Sequence, residues 1–404
     1  MDEKIRVLFV DDEPFVLQGL RRLLRDMRGE WEMSFEASGA EGLVTLAATP
    51  FDVVVTDLRM PGMNGAEFLN RVRDLYPETI RLVLSGHAEM DLILQAEGAA
   101  HQFLTKPCDP DLLRSVIRGA SLVGRNLKGH AIRKILGGIS HLPVIPGTYL
   151  EIQKLLTSET TTVADLGAVV QRDPGLTANI LKLVNSSYFG LRQRVSSPTE
   201  AVSFLGVETL KAISLLHGVF QQMKGSPPEF RCLHLWSHSL GMARASQAIA
   251  ALEGLDRTGR SDSFTSGLLH DVGLLLLISA LPEHYNQIYR MVAEGPLEIA
   301  EAETQVMGIH HGEVGGYLLG LWGLPNAVVE AVSRHHDRFD PEKTINPTSI
   351  IQGAEFLSMA QGDRMVFDIH RKLGPLEPAS LAGDRLQAWK AVADPFFNPE
   401  AILE

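Results

Sequence analysis

The sequence predicts two fold classes in one chain: a doubly wound (βα)5 domain with a parallel sheet, followed by an all-α domain. Three observations predict it. Short β-rich runs alternate with amphipathic stretches up to about residue 118, strand signals vanish from about Ile135, and helix starts with good capping chemistry recur after that point.

The strand-like runs are Ile5–Val10, Met33–Ala37, Val53–Thr56, Ile80–Leu84 and Gln102–Leu104. Helical periodicity fills the gaps, with one stripe from Phe15, Leu17, Leu20, Leu23 and Leu24 and another from Phe68, Leu69, Val72 and Leu75. In such a sheet the functional site lies at the carboxyl ends of the strands. After Pro110 the apolar pattern of Leu112, Leu113, Val116, Ile117 and Ala120 runs on through Val123 and Leu127 toward Ile132, interrupted by Gly119, Gly124 and Gly129. This reads as a helical connector, giving a first domain at 1–120, a connector at 121–134 and an all-helical domain with a C-terminal extension at 135–404. Leu122, Val123 and Leu127 offer a paired-helix seam for a homodimer.

In the helical half, Asp173-Pro174 gives an Asp N-cap with proline at the first helical position, leading into Leu176, Ile180, Leu181 and Val184. Ser197-Pro198-Thr199-Glu200 is a capping box with Gly206 as the stop. Gly254 to Ser263 reads as an exposed loop.

Composition narrows the function. At 404 residues, 45% hydrophobic and 21% charged, the chain can bury a large core in two or three domains. It shows neither a basic n-region nor a run of about 18 apolar residues, and its most apolar stretch, Gly267 to Leu281, is broken by His270 and Asp271. The expectation is a cytoplasmic protein without membrane insertion. Cys108 and Cys232 are too few and too far apart for a disulfide framework or a cysteine zinc site. A net charge of -12 without a long Lys/Arg cluster argues against DNA as a partner.

Chemistry-bearing residues fall at strand ends. Asp11 and Asp12 follow the first strand, Asp57 ends the third, Ser85 the fourth and Lys106 the fifth. Magnesium binds through a few carboxylates plus waters and phosphate oxygens, so the three aspartates form a candidate Mg2+ site. Lys106 and Ser85 supply a cation and a hydroxyl for phosphate oxygens, and Asp57, central among them, is the candidate nucleophile. Asp-Asp, then Asp57-Leu-Arg-Met-Pro-Gly-Met-Asn-Gly65, then Leu-Ser-Gly and Lys-Pro closely resemble the receiver domain of two-component response regulators, over Ile5 to about Ile117. The resemblance implies phosphorylation of Asp57 by a sensor histidine kinase, Ser85 and Phe103 as a switch pair, and a backbone carbonyl of Arg59 as a further metal ligand. It also implies a cis peptide at Lys106-Pro107. Phe103 stands where a tyrosine would carry a hydroxyl, so its rotation would be driven by packing.

Nine of the fourteen histidines lie between His217 and His336. An isolated one such as His217 or His284 fits a helix cap or a core hydrogen bond. His270-Asp271, His310-His311 and His335-His336 instead pair imidazoles with each other or with carboxylate, a set suited to iron, manganese or zinc. The order His238, Gly-Leu-Leu-His270-Asp271-Val-Gly, Glu303, His311-Gly-Glu-Val-Gly, His335-His336 resembles the HD superfamily of metal-dependent phosphohydrolases. Asp173-Pro-Gly-Leu-Thr through Asn185-Ser-Ser-Tyr-Phe-Gly, with Val195-Ser-Ser-Pro through Gly206, narrows the likeness to the HD-related output domain, HDOD, over about Ile135 to Met359. That resemblance implies His238, His270, Asp271, His311, His335 and His336 as metal ligands, with Glu355 nearest to the last acidic position. Leu274 replaces the lysine of catalytic relatives, and Arg338 to Pro341 replaces their Gly-Tyr-Pro. A lost cation beside a scissile phosphate removes transition-state stabilisation. The favoured expectation is therefore a non-catalytic module acting on a downstream protein; a cyclic-dinucleotide phosphodiesterase and a non-cleaving nucleotide sensor are the alternatives.

Overall fold

The computed structural model describes residues 4–85, 99–106, 108, 110–122, 146–156, 158, 160–185, 195–222, 232–294, 297–340, 344–361 and 384–397. Two compact units emerge, one of residues 1–144 with 317–324 and one of 145–316 with 325–404. Most of the connector expected at 121–134, and the Lys106-Pro107 peptide, lie outside the described residues.

The first unit contains β1 (Ile5–Val10), α1 (Pro14–Leu23), β2 (Trp31–Glu36), α2 (Gly39–Ala48), β3 (Val53–Asp57), α3 (Gly65–Leu75), β4 (Ile80–Ser85), β5 (Gln102–Thr105) and α4 (Pro110–Leu122). The strands form a parallel sheet in the order β2-β1-β3-β4-β5. Continuous runs of Val, Leu and Ile make β1 and β3 almost wholly buried, as a sheet covered on both faces requires. Register sets Val10 beside Thr56, Asp57 beside Leu84 and Ser85 beside Thr105, so the ends of β1, β3, β4 and β5 share one edge. Leu8, Val54, Phe68 and Leu69 belong to the core between sheet and helices.

Two members of the expected stripes face water instead: Phe15 is 84% and Leu75 63% exposed. The buried face of α1 is set by Leu17 and Leu20, continued by Leu24 just past its end. That spacing of three and four turns Phe15 away from the sheet.

The second unit is helical wherever described: α5 (Gly147–Leu156), α6 (Val163–Gln171), α7 (Pro174–Val184), α8 (Pro198–Leu205), α9 (Val207–Gln222), α10 (Cys232–Leu252), α11 (Arg257–Leu269), α12 (Val272–Ala280), α13 (Pro282–Glu294), α14 (Ile299–Met307), α15 (His311–Leu321), α16 (Asn326–Ser333), α17 (Pro347–Gln361) and α18 (Asp384–Ala393). Asp173 and Ser197 cap α7 and α8 as expected, accepting the N–H groups of Leu176 and Glu200. Gly206 ends α8 at φ 76°.

The loop expected at Gly254 to Ser263 is a correction: α11 begins at Arg257. Asp256 accepts the N–H of Gly259 at 2.7 Å as its N-cap. Ser263 donates to the Gly259 carbonyl and Ser266 to that of Asp262, each at 2.7 Å, so these hydroxyls are satisfied inside a buried helix. The stretch Arg257–Ala280 is long and apolar enough on length and composition to cross a membrane, and 83% of its apolar window is buried inside the protein.

Candidate functional site

At the carboxyl edge of the sheet, Lys106 Nζ donates to Asp11 Oδ2 at 2.8 Å and to Asp57 Oδ1 at 2.5 Å. Both carboxylates are buried, at 2% and 6% exposure, while Asp12 is half-buried. The second oxygen of Asp57 accepts the backbone N–H of Arg59 at 3.1 Å, and Asp11 Oδ1 that of Glu13 at 2.9 Å. Burial pushes the Lys106 ammonium down, but its bonds to Asp11 and Asp57 outweigh that and raise its pKa. Ser85 ends β4 beside Thr105, and half-buried Phe103 packs against the sheet core.

The loop after Asp57 owes its path to glycine. A Cβ at Gly65 would lie 2.0 Å from the Asp57 carbonyl oxygen, so only a residue without one lets α3 start against the end of β3. The N–H of Gly65 closes the turn on the Leu58 carbonyl at 2.9 Å. The carboxylates of three aspartates and a main-chain carbonyl are the donor chemistry magnesium takes. The residues present fit that ion: two buried carboxylates are drawn to one point and held there by a cation.

In the helical unit, residues far apart in sequence meet in one cluster. His238 comes from α10, His270 and Asp271 from the break between α11 and α12, His311 from the start of α15, His335 and His336 from beyond α16, and Glu355 from α17. His238 Nε2 lies 3.1 Å from His270 Nε2, and His336 Nε2 2.9 Å from His311 Nε2. Asp271 stands between the groups, 3.2 Å from His270 Nε2 and 3.1 Å from His311 Nε2, with His335 Nε2 at 3.9 Å. Glu355 Oε2 is 3.9 Å from His270 Nε2. The donor atoms of His311, His335 and His336 lie within 4.8 Å of one another, as do those of His238, His270 and Asp271.

Ring orientation is fixed from behind. His270 Nδ1 faces the Gly267 carbonyl at 2.8 Å and His335 Nδ1 the Val332 carbonyl at 2.7 Å. Carbonyls only accept, so both Nδ1 atoms carry a proton, and burial keeps the His335 ring neutral so that its Nε2 turns a lone pair inward. His311 Nδ1 donates to Glu303 Oε2 at 2.7 Å, and Glu303 is itself held by the Tyr285 hydroxyl. Outer partners of this kind orient metal-ligating histidines. Buried Nε2 of His335 and Oε2 of Glu355 find no hydrogen-bond partner among the described residues. An inward lone pair on His335 and the carboxylates of Asp271 and Glu355 converge here, with no lysine or arginine in the cluster among the described residues; that is the chemistry of a divalent metal site, and the residues fit one.

Burial would raise the Asp271 carboxyl, but His270 and His311 hold it well below its usual range. Burial lowers His335 and His336 well below the usual imidazole value and raises Glu355. Burial would also lower His311, yet Glu303 and Asp271 raise it to about 10.

Close packing brings the strips together. A Cβ at Gly273 would lie 2.0 Å from the His311 carbonyl oxygen and 2.5 Å from the Gly315 nitrogen, so the glycine after His270-Asp271-Val lets α12 touch α15. Glu303 stood in the sequence order of the histidine motifs without a role assigned to it, and Tyr285 went unread as part of the site. His217 sits apart from the cluster, hydrogen-bonded by Asn179 and Gln221 as a core histidine.

Comparison with known proteins places these geometries. Residues 7–118 match the family described as response regulator receiver domain, and residues 142–338 match the HDOD domain. An uncharacterized protein of Treponema pallidum is 28% identical over 199 residues, 49% of this chain and 38% of that protein. The hydrogenase transcriptional regulatory protein HoxA of Cupriavidus necator is 34% identical over 146 residues, 36% of this chain and 30% of its own length. The chain thus spans about a third of the length of these relatives. Among solved structures, an HDOD domain protein of unknown function from Geobacter sulfurreducens is similar with a TM-score of 0.52 and 25% identity, covering 65% of this chain and 87% of that one.

Proposed function

Because this chain carries a receiver domain at residues 7–118 and an HDOD domain at 142–338, we propose that it is a two-component response regulator whose HDOD half is switched by phosphorylation of Asp57. The observation that carries this reading is the Lys106 ammonium bridging Asp11 and Asp57 at the carboxyl edge of the sheet. A carboxylate oxygen of Asp57 attacks the phosphorus of a phosphohistidine on a sensor histidine kinase. The P–O bond forms as the P–N bond breaks, and the kinase imidazole leaves with its electron pair and takes up a proton. Asp11, Asp12, Asp57 and the Arg59 carbonyl would hold magnesium, which when bound neutralises charge on the transferred phosphoryl group. The Arg59 N–H positions Asp57, and Lys106 moves from the carboxylate to a phosphoryl oxygen. Ser85 supplies a hydroxyl to another. Modification adds about -1.5 to -2 charge units at that edge. Phe103, packed against the core without a hydroxyl, follows by a packing change, and the face of β4 and β5 carries the signal.

For the output half we propose a metal-holding, non-hydrolytic module that acts on a downstream protein or through a homodimer. His238, His270, Asp271, His311, His335, His336 and Glu355 would hold iron, manganese or zinc. Leu274, buried in α12, offers no cation to a scissile phosphate. A second reading, hydrolysis of a cyclic dinucleotide, draws its support from the convergence of all seven expected ligands. Metal analysis of the purified chain, with Asp57 phosphorylated and unphosphorylated, paired with hydrolysis assays on cyclic di-GMP and simple phosphodiesters, separates the two. Bound metal without turnover is expected. Turnover that disappears in His270→Ala would make the protein a phosphorylation-gated hydrolase, and a metal-free chain would remove the metal from the account.

A further inference from the structure

A second concave site lies in the helical unit, outside the histidine cluster. It is a cavity of about 480 Å³ between the α8–α9 junction, α10 and the first turns of α11, within the ~300–1,000 Å³ typical of small-molecule pockets. Three arginines line it. Arg257 and Arg260 stand three residues apart on α11 and so share a face. Arg244 enters from α10, its guanidinium 5.9 Å from the centre of the buried Phe264 ring and 3.4 Å from Gln247 Oε1.

The balance of charge is unusual for this chain. Overall it has 49 acidic and 37 basic residues, yet among the described residues the one carboxylate lining the cavity, Glu208, is already met by Lys211 at 2.8 Å. Burial pushes Arg244 down only to about 9, so its guanidinium stays charged at neutral pH. Guanidinium forks match phosphate oxygens in pairs. The first turn of α9, Val207 to Thr209, lines the same space, and an α-helix leaves the main-chain N–H groups of its first turn without partners of its own. Phe264 and half-buried Phe396 add an apolar wall.

An inorganic anion would use the arginines and leave that wall idle. We propose that this cavity binds a nucleotide, its phosphate among Arg244, Arg257 and Arg260 and its base against the apolar wall. It is a ligand site separate from the histidine cluster and independent of whether that cluster holds metal.

The test is calorimetric titration of the full chain with ATP, GTP, cyclic di-GMP and, separately, inorganic phosphate, which distinguishes mononucleotides from cyclic dinucleotides and both from phosphate alone. Arg257→Glu/Arg260→Glu is the informative variant, because both side chains are exposed and acidic residues suit the first turn of a helix. At least one nucleotide should bind, more tightly than phosphate, and lose affinity by about tenfold or more in the variant. The proposal is overturned if no nucleotide binds, if phosphate alone binds as tightly, or if the arginine variant binds as the parent does. It is equally overturned if a folded His335→Ala chain loses binding while the arginine variant keeps it.

Discussion

Lys106→Met removes the cation that Asp11 and Asp57 share while keeping a side chain of similar length. Hydrogen bonds to charged groups are worth about 1.5–3 kcal/mol each, and Lys106 makes two. Its side chain is 26% exposed, which trims that sum by solvent screening. The expected cost is about 3 kcal/mol, the lower end for breaking a buried ion pair. For a domain of roughly a hundred residues this lowers the unfolding temperature on the order of 10 °C. Calorimetry of the full chain in chelator, following the receiver transition, measures it. Magnesium at about a hundred times its Kd contributes ~2.7 kcal/mol, so it should restore most of the loss, and Asp11→Asn should partly rescue the variant because one of the two opposed carboxylates is gone. The pH dependence follows from the raised pKa of Lys106. A group whose pKa rises on folding stabilises fully below its unfolded value, here 10.5, and ceases to do so as pH climbs through the folded value. The gap between parent and variant should therefore be constant through neutral pH and shrink only in alkali. A variant unfolding within about 2 °C of the parent in chelator, or a gap that closes at neutral pH, would refute the reasoning.

Three further outcomes are expected. Gly273→Ala, whose new Cβ meets the His311 carbonyl at 2.0 Å, should cost about 1–3 kcal/mol by overpacking and weaken metal uptake measured by elemental analysis. Glu303→Gln keeps the shape but removes the charge behind His311, and should lower metal affinity about 10–100-fold, read by competition with a chromogenic chelator; unchanged affinity would show that the cluster does not use His311. Gly65→Ala should slow phosphoryl uptake at Asp57, followed by phosphate-affinity electrophoresis, because α3 can no longer start against the Asp57 carbonyl.

Much of this architecture was legible from residue order, and the exceptions have physical causes. β1 was readable from end to end, and β3 and β4 to within one residue, because the central strands of a sheet buried on both faces demand runs of Val, Ile and Leu; the edge strands β2 and β5 were placed to within two residues at either end. The positions of Asp11, Asp57 and Lys106 followed from the rule that parallel sheets work at their carboxyl edge. Gly254 to Ser263 misled because its composition is that of a loop, while the Asp256 cap and serines bonded to the preceding turn make it a helix start. Phe15 misled because a run of apolar residues does not say which of them faces inward. The histidine strips could be ordered from sequence, but their convergence depends on glycine contacts between helices, and Tyr285 joins them only through Glu303. The arginine cavity gave no linear signal, since its cations come from two helices separated by a glycine turn.

The most direct measurement of the central claim is intact-mass and peptide analysis of the full chain after incubation with magnesium and a phosphohistidine donor. The account predicts one acid-stable, base-labile phosphoryl group on the peptide containing Asp57, absent from Asp57→Asn and absent in chelator. A chain that takes up no phosphoryl group, or takes it up equally well in Asp57→Asn, would contradict it.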